Sequence, residues 1–455
     1  MQWKQRLRQG AALALPAMME NMMVSLLSMV DTAMVGSLGK EATAAAALNA
    51  SPSWLVSSSI TVVGGSIAVI IARLWGAKDY KRAGEFSRQA FLMGLILGAV
   101  LTLAGQMIAP FYPYWMQAET AVIPDAAAYM RIVSAAYIPH TLGLVCYGVM
   151  RGAGDMKTPM RISLGVNLLN VLGNFLLIYP SRTLWGIPVW GAGMGVTGAA
   201  LSTAVCTSLS AVIGGICLSR RQDPLRLTFK KSYRPDWEKI GRILRLGVPI
   251  ASERVIVNLG QVLYASTVSS LGTAELSAHH LAVTAEGMCY HPAFGISVAA
   301  TTGMGQALGA GKEEEAKKIG WTYLAMCGVI MVCVSLLMYL LAPAMISLFT
   351  PDAQVIRLGA MALRIVALAE PLFGLSIVAT SLLRSAGETT APLIVSILCM
   401  MGIRVPLAMV FCRIFNWGLA GAWVAMDIDL ILRGSLMVWR YASGKWMEKS
   451  RRLKA

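Results

Sequence analysis

Charge is scarce in this chain of 455 residues: Asp, Glu, Lys and Arg together make up 14% of it, against roughly 25% in ordinary soluble domains. A surface so poor in charge cannot face water on all sides, which excludes a soluble globular protein. The eight Cys (Cys146, Cys206, Cys217, Cys289, Cys327, Cys333, Cys399 and Cys412) stand singly, with no C-x-x-C and no close pair. That pattern excludes a secreted disulfide scaffold, and the thiols read as small apolar residues. Histidine is limited to four residues. His279, His280 and His291 come nearest to a ligand set, but adjacent His side chains diverge on a helix and no H-E-x-x-H accompanies them, so no metal is expected. The Gly-rich segments at 151–159 and 384–392 lack G-x-x-x-x-G-K-S/T and follow an apolar helix rather than a strand. They read as helix caps and reversals, which leaves no ATP site. No cleavable leader is expected either, because the apolar stretch after the basic residues at 3–8 is too long.

What the chain has is apolar length. Hydrophobic residues make up 56%, and runs of about 20 residues or more, the thickness of a bilayer in helical rise, recur at 11–37, 46–72, 86–109, 127–150, 160–179, 191–217, 244–270, 278–306, 318–342, 356–383, 390–414 and 418–440. The runs are continuous rather than alternating, so helices are expected and a barrel is not. Twelve spans result. Basic residues test that count, because the links between spans divide into two sets. One set holds Lys4, Arg6 and Arg8, then Arg73 to Arg88, then Arg151, Lys157 and Arg161, then a long basic stretch from Arg220 to Arg245, then Lys312, Lys317, Lys318, Arg384 and the tail from Arg440. The other set has Lys40, Arg182, Arg357 and Arg413. This is a positive-inside pattern with both termini cytoplasmic. It also gives the net charge of +16 a partner in anionic lipid headgroups, so nucleic acid is not expected.

The chain duplicates itself. A shift of 233 residues takes Pro16 to Pro249, Glu20 to Glu253, Gly39 to Gly272, Gly76 to Gly309, Pro110 to Pro343, Arg151 to Arg384, Gly154 to Gly387 and Pro159 to Pro392. Further on, Gly195 and Gly198 correspond to Gly418 and Gly421 at a shift of 223, so the first half carries ten extra residues around 180–189. The expected organisation is an amino-terminal six-helix lobe at 1–219, a basic cytoplasmic linker at 220–240, a carboxy-terminal six-helix lobe at 241–440 and a basic tail at 441–455. Six spans per unit give both halves one orientation, related by an axis along the membrane normal, as in transporters that rock one half against the other. A channel would need a filter or a charged ring, and no such signature stands out.

Several segments resemble the MATE (multidrug and toxic compound extrusion) family. They are Leu15-Pro16 followed by Val30-Asp31-Thr32 and Val35-Gly36-Ser37-Leu38-Gly39, then Arg151-Gly152-Ala153-Gly154-Asp155 with Thr158-Pro159, its counterpart Leu383-Arg384-Ser385-Ala386-Gly387 with Pro392, and the run from Gly305 to Gly311. The resemblance covers nearly the whole chain. It implies an all-α integral membrane fold of twelve transmembrane helices in two pseudo-symmetric six-helix bundles, and export of organic, often cationic, compounds in exchange for protons or sodium ions. It implies no enzyme activity and no cofactor beyond the ion gradient.

Asp31 is the first candidate for coupling. An ionisable group within a spanning helix costs about 2.5 to 3.5 kcal/mol on insertion scales and so marks an ion path or a polar cavity. The resemblance makes Asp31 the cation or proton site of the first lobe and surrounds it with Asn170, Asn174 and Thr203. Asn170 and Asn174 are four apart and share a helix face. Some relatives have Asp where Asn174 stands; the missing carboxylate favours protons over sodium, since hard cations prefer charged oxygens. Glu20 and Glu253 take equivalent places after the helix prolines, and as a pair facing each other across the cleft they would attract a cationic substrate. Satisfying backbone groups freed by Pro16 and Pro249 is their structural alternative. Glu286 and Glu370 are further substrate or proton-path candidates. Asp429 and Arg433, four apart, are expected to pair. Relatives place second-lobe acids where this chain has Val257 and Phe373.

The expected function is a monomeric multidrug antiporter of the plasma membrane, the inner membrane of a two-membrane cell, exchanging small organic cations for protons and, as the alternative, sodium. A flippase for lipid-linked precursors is the rival; it needs Arg254 and Arg404 turned inward to hold pyrophosphate. An intramembrane enzyme using His279 and His280 is the remote third.

Overall fold

With no water to satisfy the backbone inside a bilayer, an apolar segment has to close its hydrogen bonds within itself, and nearly all of this chain is helical. The computed structural model describes residues 2–184, 187–221, 225–226 and 234–452. In order, the elements are α1 Gln2–Gly36, α2 Lys40–Gly76, α3 Tyr80–Ile108, α4 Tyr112–Trp115, α5 Ile123–Ala135, α6 Tyr137–Gly152, α7 Lys157–Leu177, the strands β1 Pro180–Leu184 and β2 Ile187–Ala192, and α8 Gly195–Ser219. There follow α9 Trp237–Ser269, α10 Thr273–Cys289, α11 His291–Gly309, α12 Glu313–Ser347, α13 Ala353–Val366, α14 Glu370–Ser385, α15 Thr390–Ile397, α16 Val405–Met409, α17 Gly418–Ala442 and α18 Trp446–Arg452. Two π-helical stretches, Leu398–Arg404 and Val410–Ile414, flank α16.

Each of the twelve apolar runs carries a helix or a helix pair. Among the described residues, seven helices are long and apolar enough to cross a membrane, or nine when the pairs α5/α6, bent by 43°, and α13/α14, bent by 55°, are each taken as one span. The other three runs fall on α9, on α10 with α11, and on α17. Of these, α10 has 17 residues, α9 carries Glu253 and Arg254 within its apolar stretch, and α17 carries Asp427, Asp429 and Arg433.

The duplication extends to backbone conformation. Gly39 and Gly272, each preceding a helix, have φ of 111° and 137°, a region that suits glycine. Gly154 and Gly387 have φ of 92° and 84°, and Gly195 and Gly418 have φ of 59° and 58°. The ten extra residues of the first half form the antiparallel β1–β2 hairpin, with Arg182 paired to Val189. Its Arg182 guanidinium lies over Phe175 and Tyr179, 4.4 and 4.2 Å from the ring centroids, and the Tyr179 hydroxyl shares a 2.6 Å hydrogen bond with Ser37 just past α1.

The chain forms two compact units. One is Met23–Gly247; the other combines Met1–Met22 with Val248–Ala455. Both boundaries fall inside helices, α1 and α9. Residues 1–22, expected with the amino-terminal lobe, therefore group with the second unit. Ala14 lies in its buried core, and a Cβ on Gly295 of α11 would come within 2.4 Å of the Met18 Cα. The basic linker expected at 220–240 lies partly outside the described residues; its last part groups with the first unit. Arg234 accepts a 2.9 Å hydrogen bond on its carbonyl from Gln89 of α3, and Lys239 lies 3.3 Å from Glu85. Of the basic tail, Lys454 lies outside the described residues.

Candidate functional site

In the unit Met23–Gly247, α1 and α7 bring Asp31 and Asn174 together. Asn174 is fully buried, and its Nδ2 donates a short hydrogen bond to the half-buried Asp31 carboxylate. One turn earlier on α7, Asn170 Nδ2 donates to Ser202 Oγ at 3.2 Å and to Thr203 Oγ1 at 3.4 Å, and the Ser202 hydroxyl donates back to the Asn170 carbonyl at 3.0 Å. Close approach of α7 and α8 depends on small residues. A Cβ on Gly173 would lie 2.4 Å from Ser202 Oγ, and one on Gly198 would lie 2.6 Å from the Leu177 carbonyl oxygen. Tyr129 of α5 interacts electrostatically with Asp31.

All four residues expected at the coupling site thus fall on adjoining turns of α1, α7 and α8. Asn170 and Thr203 also line a cavity of about 190 Å³, together with His140, Tyr147, Asn167 and Ser210. That volume exceeds the roughly 30 Å³ share of one water, and its lining is polar enough to hydrogen-bond several. Ser202 and Tyr129 were not identified from the sequence. Ser202 stands next to Thr203, and its role becomes visible once Gly173 is seen to face it. Tyr129 comes from a helix more than ninety positions from Asp31 in the chain and gives no local signal.

The four glutamates lie elsewhere. Glu20 and Glu253 were expected in opposite halves; with residues 1–22 in the second unit, both belong to the same one. Glu20 is buried. Glu253 is engaged: Arg384 Nη2 donates to its Oε2 at 2.6 Å and Ser396 Oγ to its Oε1 at 3.1 Å. The guanidinium thus neutralises the charge that was expected to draw a cationic substrate. Glu286 and Glu370 are buried as well. The expected pair of Asp429 and Arg433 is present, with Nη2 at 2.7 Å from Oδ1 and 2.8 Å from Oδ2. The sequence did not show that Arg404, from the π-helical stretch, completes a triad by donating from Nε to Asp429 Oδ2 at 2.6 Å. Arg404 is nearly inaccessible, and this bond is the reverse of the free cationic surface that a pyrophosphate would need. Among the described residues no three His, Cys, Asp or Glu stand close enough together to hold a metal ion.

Comparison with known proteins matches this geometry to one family. The MatE family model matches residues 16–176 and again 249–410, two stretches that start one repeat apart. The chain is 28% identical over 442 residues, 96% of it and 92% of the relative, to a protein of Thermotoga maritima named "Probable multidrug resistance protein NorM". It is 25% identical, over 96% of its length and 94% of the relative's, to the "Uncharacterized transporter YisQ" of Bacillus subtilis. Among solved structures, a crystal structure of a MATE protein in complex with MaL6 superposes with a TM-score of 0.89 at 22% identity, covering 96% of this chain and 97% of that one. A transporter of the MOP superfamily from Pyrococcus furiosus superposes with a TM-score of 0.88 at 22% identity, covering 96% of each chain. These superpositions show that the fold has the same twelve-helix, two-lobe plan.

Proposed function

We propose that this chain, which belongs to the MatE family of multi-pass membrane transporters and is therefore not an enzyme, exports organic cations from the cytoplasm in exchange for protons bound at Asp31. The names of several relatives supply multidrug resistance; the proton assignment rests on Asn174. Its Nδ2 donates to the Asp31 carboxylate, while its Oδ1, buried beside it, has no partner among the described residues. An amide can donate and accept, so Asn174 is suited to both forms of the acid: Nδ2–H toward the carboxylate, Oδ1 toward the O–H of the protonated carboxyl. A second carboxylate at this position would instead repel the first and call for a metal cation.

In the proposed cycle, protonation from outside removes the negative charge that holds a cationic compound and rearranges the hydrogen bonds to Asn174. The compound leaves, and return to the inward-facing state delivers the proton to the cytoplasm. The chain would act as a monomer in the plasma membrane with both termini cytoplasmic, an orientation supported by its one-sided basic loops. Sodium coupling is the alternative.

The test is reconstitution into liposomes with imposed proton or sodium gradients and a fluorescent organic cation. A proton gradient should drive accumulation and a sodium gradient at constant pH should not. Asp31→Asn should abolish gradient-driven transport while the protein still folds and inserts. Full activity of that variant would refute the coupling role of Asp31.

A further inference from the structure

The unit Met23–Gly247 also holds an open cavity of about 520 Å³, between the amino-terminal part of α3 and the residues that lead into α9. It shares no lining residue with the Asp31 site. Gln89, buried on α3, grips the incoming chain at two points: its Nε2 donates to the Arg234 carbonyl at 2.9 Å, and its Oε1 accepts from the Asp236 N–H at 3.1 Å. Lys239 adds a third tie by bridging Asp236 and Glu85. The chain entering α9 is thus fixed against α3, and the cavity has defined walls. Its volume falls in the range of about 300 to 1,000 Å³ typical of small-ligand sites.

The charges on those walls do not balance. Arg88, Arg234 and Lys239 line the cavity together with Glu85 and Asp236, so one positive charge is in excess. Lys239 already engages both carboxylates, and Arg88 has no hydrogen-bond or ion-pair partner among the described residues. The excess therefore lies with the arginines, where a ligand of one negative charge closes the count. A guanidinium favours phosphate, which it can meet with two parallel N–H bonds.

Apolar surface beside the cavity indicates where that phosphate comes from. Leu95 lies two turns beyond Arg88 on the same face of α3 and is exposed, and Ile96, Val100, Leu103 and Met107 extend this exposed apolar band along the helix. On α9, Trp237 is 78% exposed, and Leu244, two turns further on the same face, is exposed as well. In a multi-pass membrane protein such bands meet acyl chains, and tryptophan marks the level of the headgroups. We propose that the cavity binds the phosphodiester of an anionic glycerophospholipid with an uncharged head alcohol, such as phosphatidylglycerol, whose acyl chains lie along α3. With the orientation proposed above, this lipid belongs to the cytoplasmic leaflet, where basic pockets hold acidic headgroups. A head carrying an ammonium group would compete with Lys239 for Glu85 and Asp236. Inorganic phosphate offers the same charge without the tails.

The test uses the purified full chain in detergent with dioctanoyl phosphatidylglycerol, read by native mass spectrometry and by hydrogen exchange. One such lipid should be retained per chain under conditions that strip dioctanoyl phosphatidylcholine. Exchange at residues 234–239 should slow, because the headgroup ties Arg88 to the segment that Gln89 holds. Arg88→Gln should weaken retention about fivefold, the worth of one basic side chain at an anionic surface, and Trp237→Ala should weaken it as well. Unchanged retention in both variants, each with the native unfolding temperature, overturns the site. Retention of dioctanoyl phosphatidylethanolamine as strong as that of the glycerol lipid overturns the choice of head. Equal slowing of exchange by inorganic phosphate overturns the lipid and leaves a soluble anion in its place. No transport is measured, so failure of proton exchange at Asp31 and failure of this site are told apart.

Discussion

Asn174 donates from Nδ2 to Asp31 and keeps Oδ1, unpaired among the described residues, beside it; in the proposed exchange the balance of donor and acceptor would set which ion the site accepts. Asn174→Asp replaces the donor with a second charged oxygen. Accumulation driven by a sodium gradient should then appear where the native protein shows none, measured in the same liposomes. Asn174→Leu removes both functions and should abolish transport without lowering the unfolding temperature by more than a few degrees. At this scale the sequence was informative where residues shared a helix or a short motif. Asp31 stands out as a charge in an apolar run, and Asn170 and Asn174 share a face. Arg404, Glu286 and Glu370 could not be joined in the same way, because they meet Asp427 and Asp429 only through packing of four separate elements. Glu253 shows the same limit from the other side: its spacing from Pro249 is legible in the chain, but its partner Arg384, 131 residues on, is not.

The elements pack through small residues that the repeat preserves. On α6, Gly148 and Gly152 are four apart, the spacing by which membrane helices approach closely. A Cβ at Gly148 would lie 2.3 Å from the Gly64 carbonyl oxygen of α2, and one at Gly152 would lie 2.8 Å from that of Ala68. In the second half the equivalent positions are Ser381 and Ser385, and Ser385 Oγ donates to the Thr301 carbonyl at 2.9 Å. The contact is thus made by close approach in one unit and by a hydrogen bond in the other. Gly148→Leu should destabilise the first unit by about 3 kcal/mol, the upper end for overpacking, seen as a lower unfolding temperature in detergent. A second element-scale prediction concerns pH. Asp236, outside the membrane and just before α9, accepts from both the Lys239 side chain and its backbone N–H, which holds its carboxyl below the ordinary range. The contact therefore contributes at pH above the ordinary carboxylate range and is lost as pH falls through the lowered one. Hydrogen exchange at residues 234–239 should accelerate only in strong acid. The helices themselves were legible as apolar runs, and the hairpin as ten extra residues. The bends at α5/α6 and α13/α14 were not, since an apolar run looks alike whether straight or bent.

For the whole molecule the question is how much one proton can do. Moving a two-state equilibrium from 1:99 to 99:1 takes about 5.5 kcal/mol of differential binding. One carboxyl whose proton affinity differs a hundredfold between states supplies about 2.7 kcal/mol. That is about half the requirement, so in the proposed exchange the bound organic cation has to supply the rest. The repeat was legible across the whole chain, because Gly, Pro and Arg kept their spacing. Unit membership was not, because a boundary inside a continuous helix leaves no mark in composition. That boundary matters for anyone who divides the gene. Severed within 227–233, the polypeptide yields two fragments, the first carrying 22 residues that group with the other unit and the second carrying the stretch up to Gly247 that groups with the first. Produced separately, each piece should be degraded; produced together in one cell, they should complement each other and restore drug resistance.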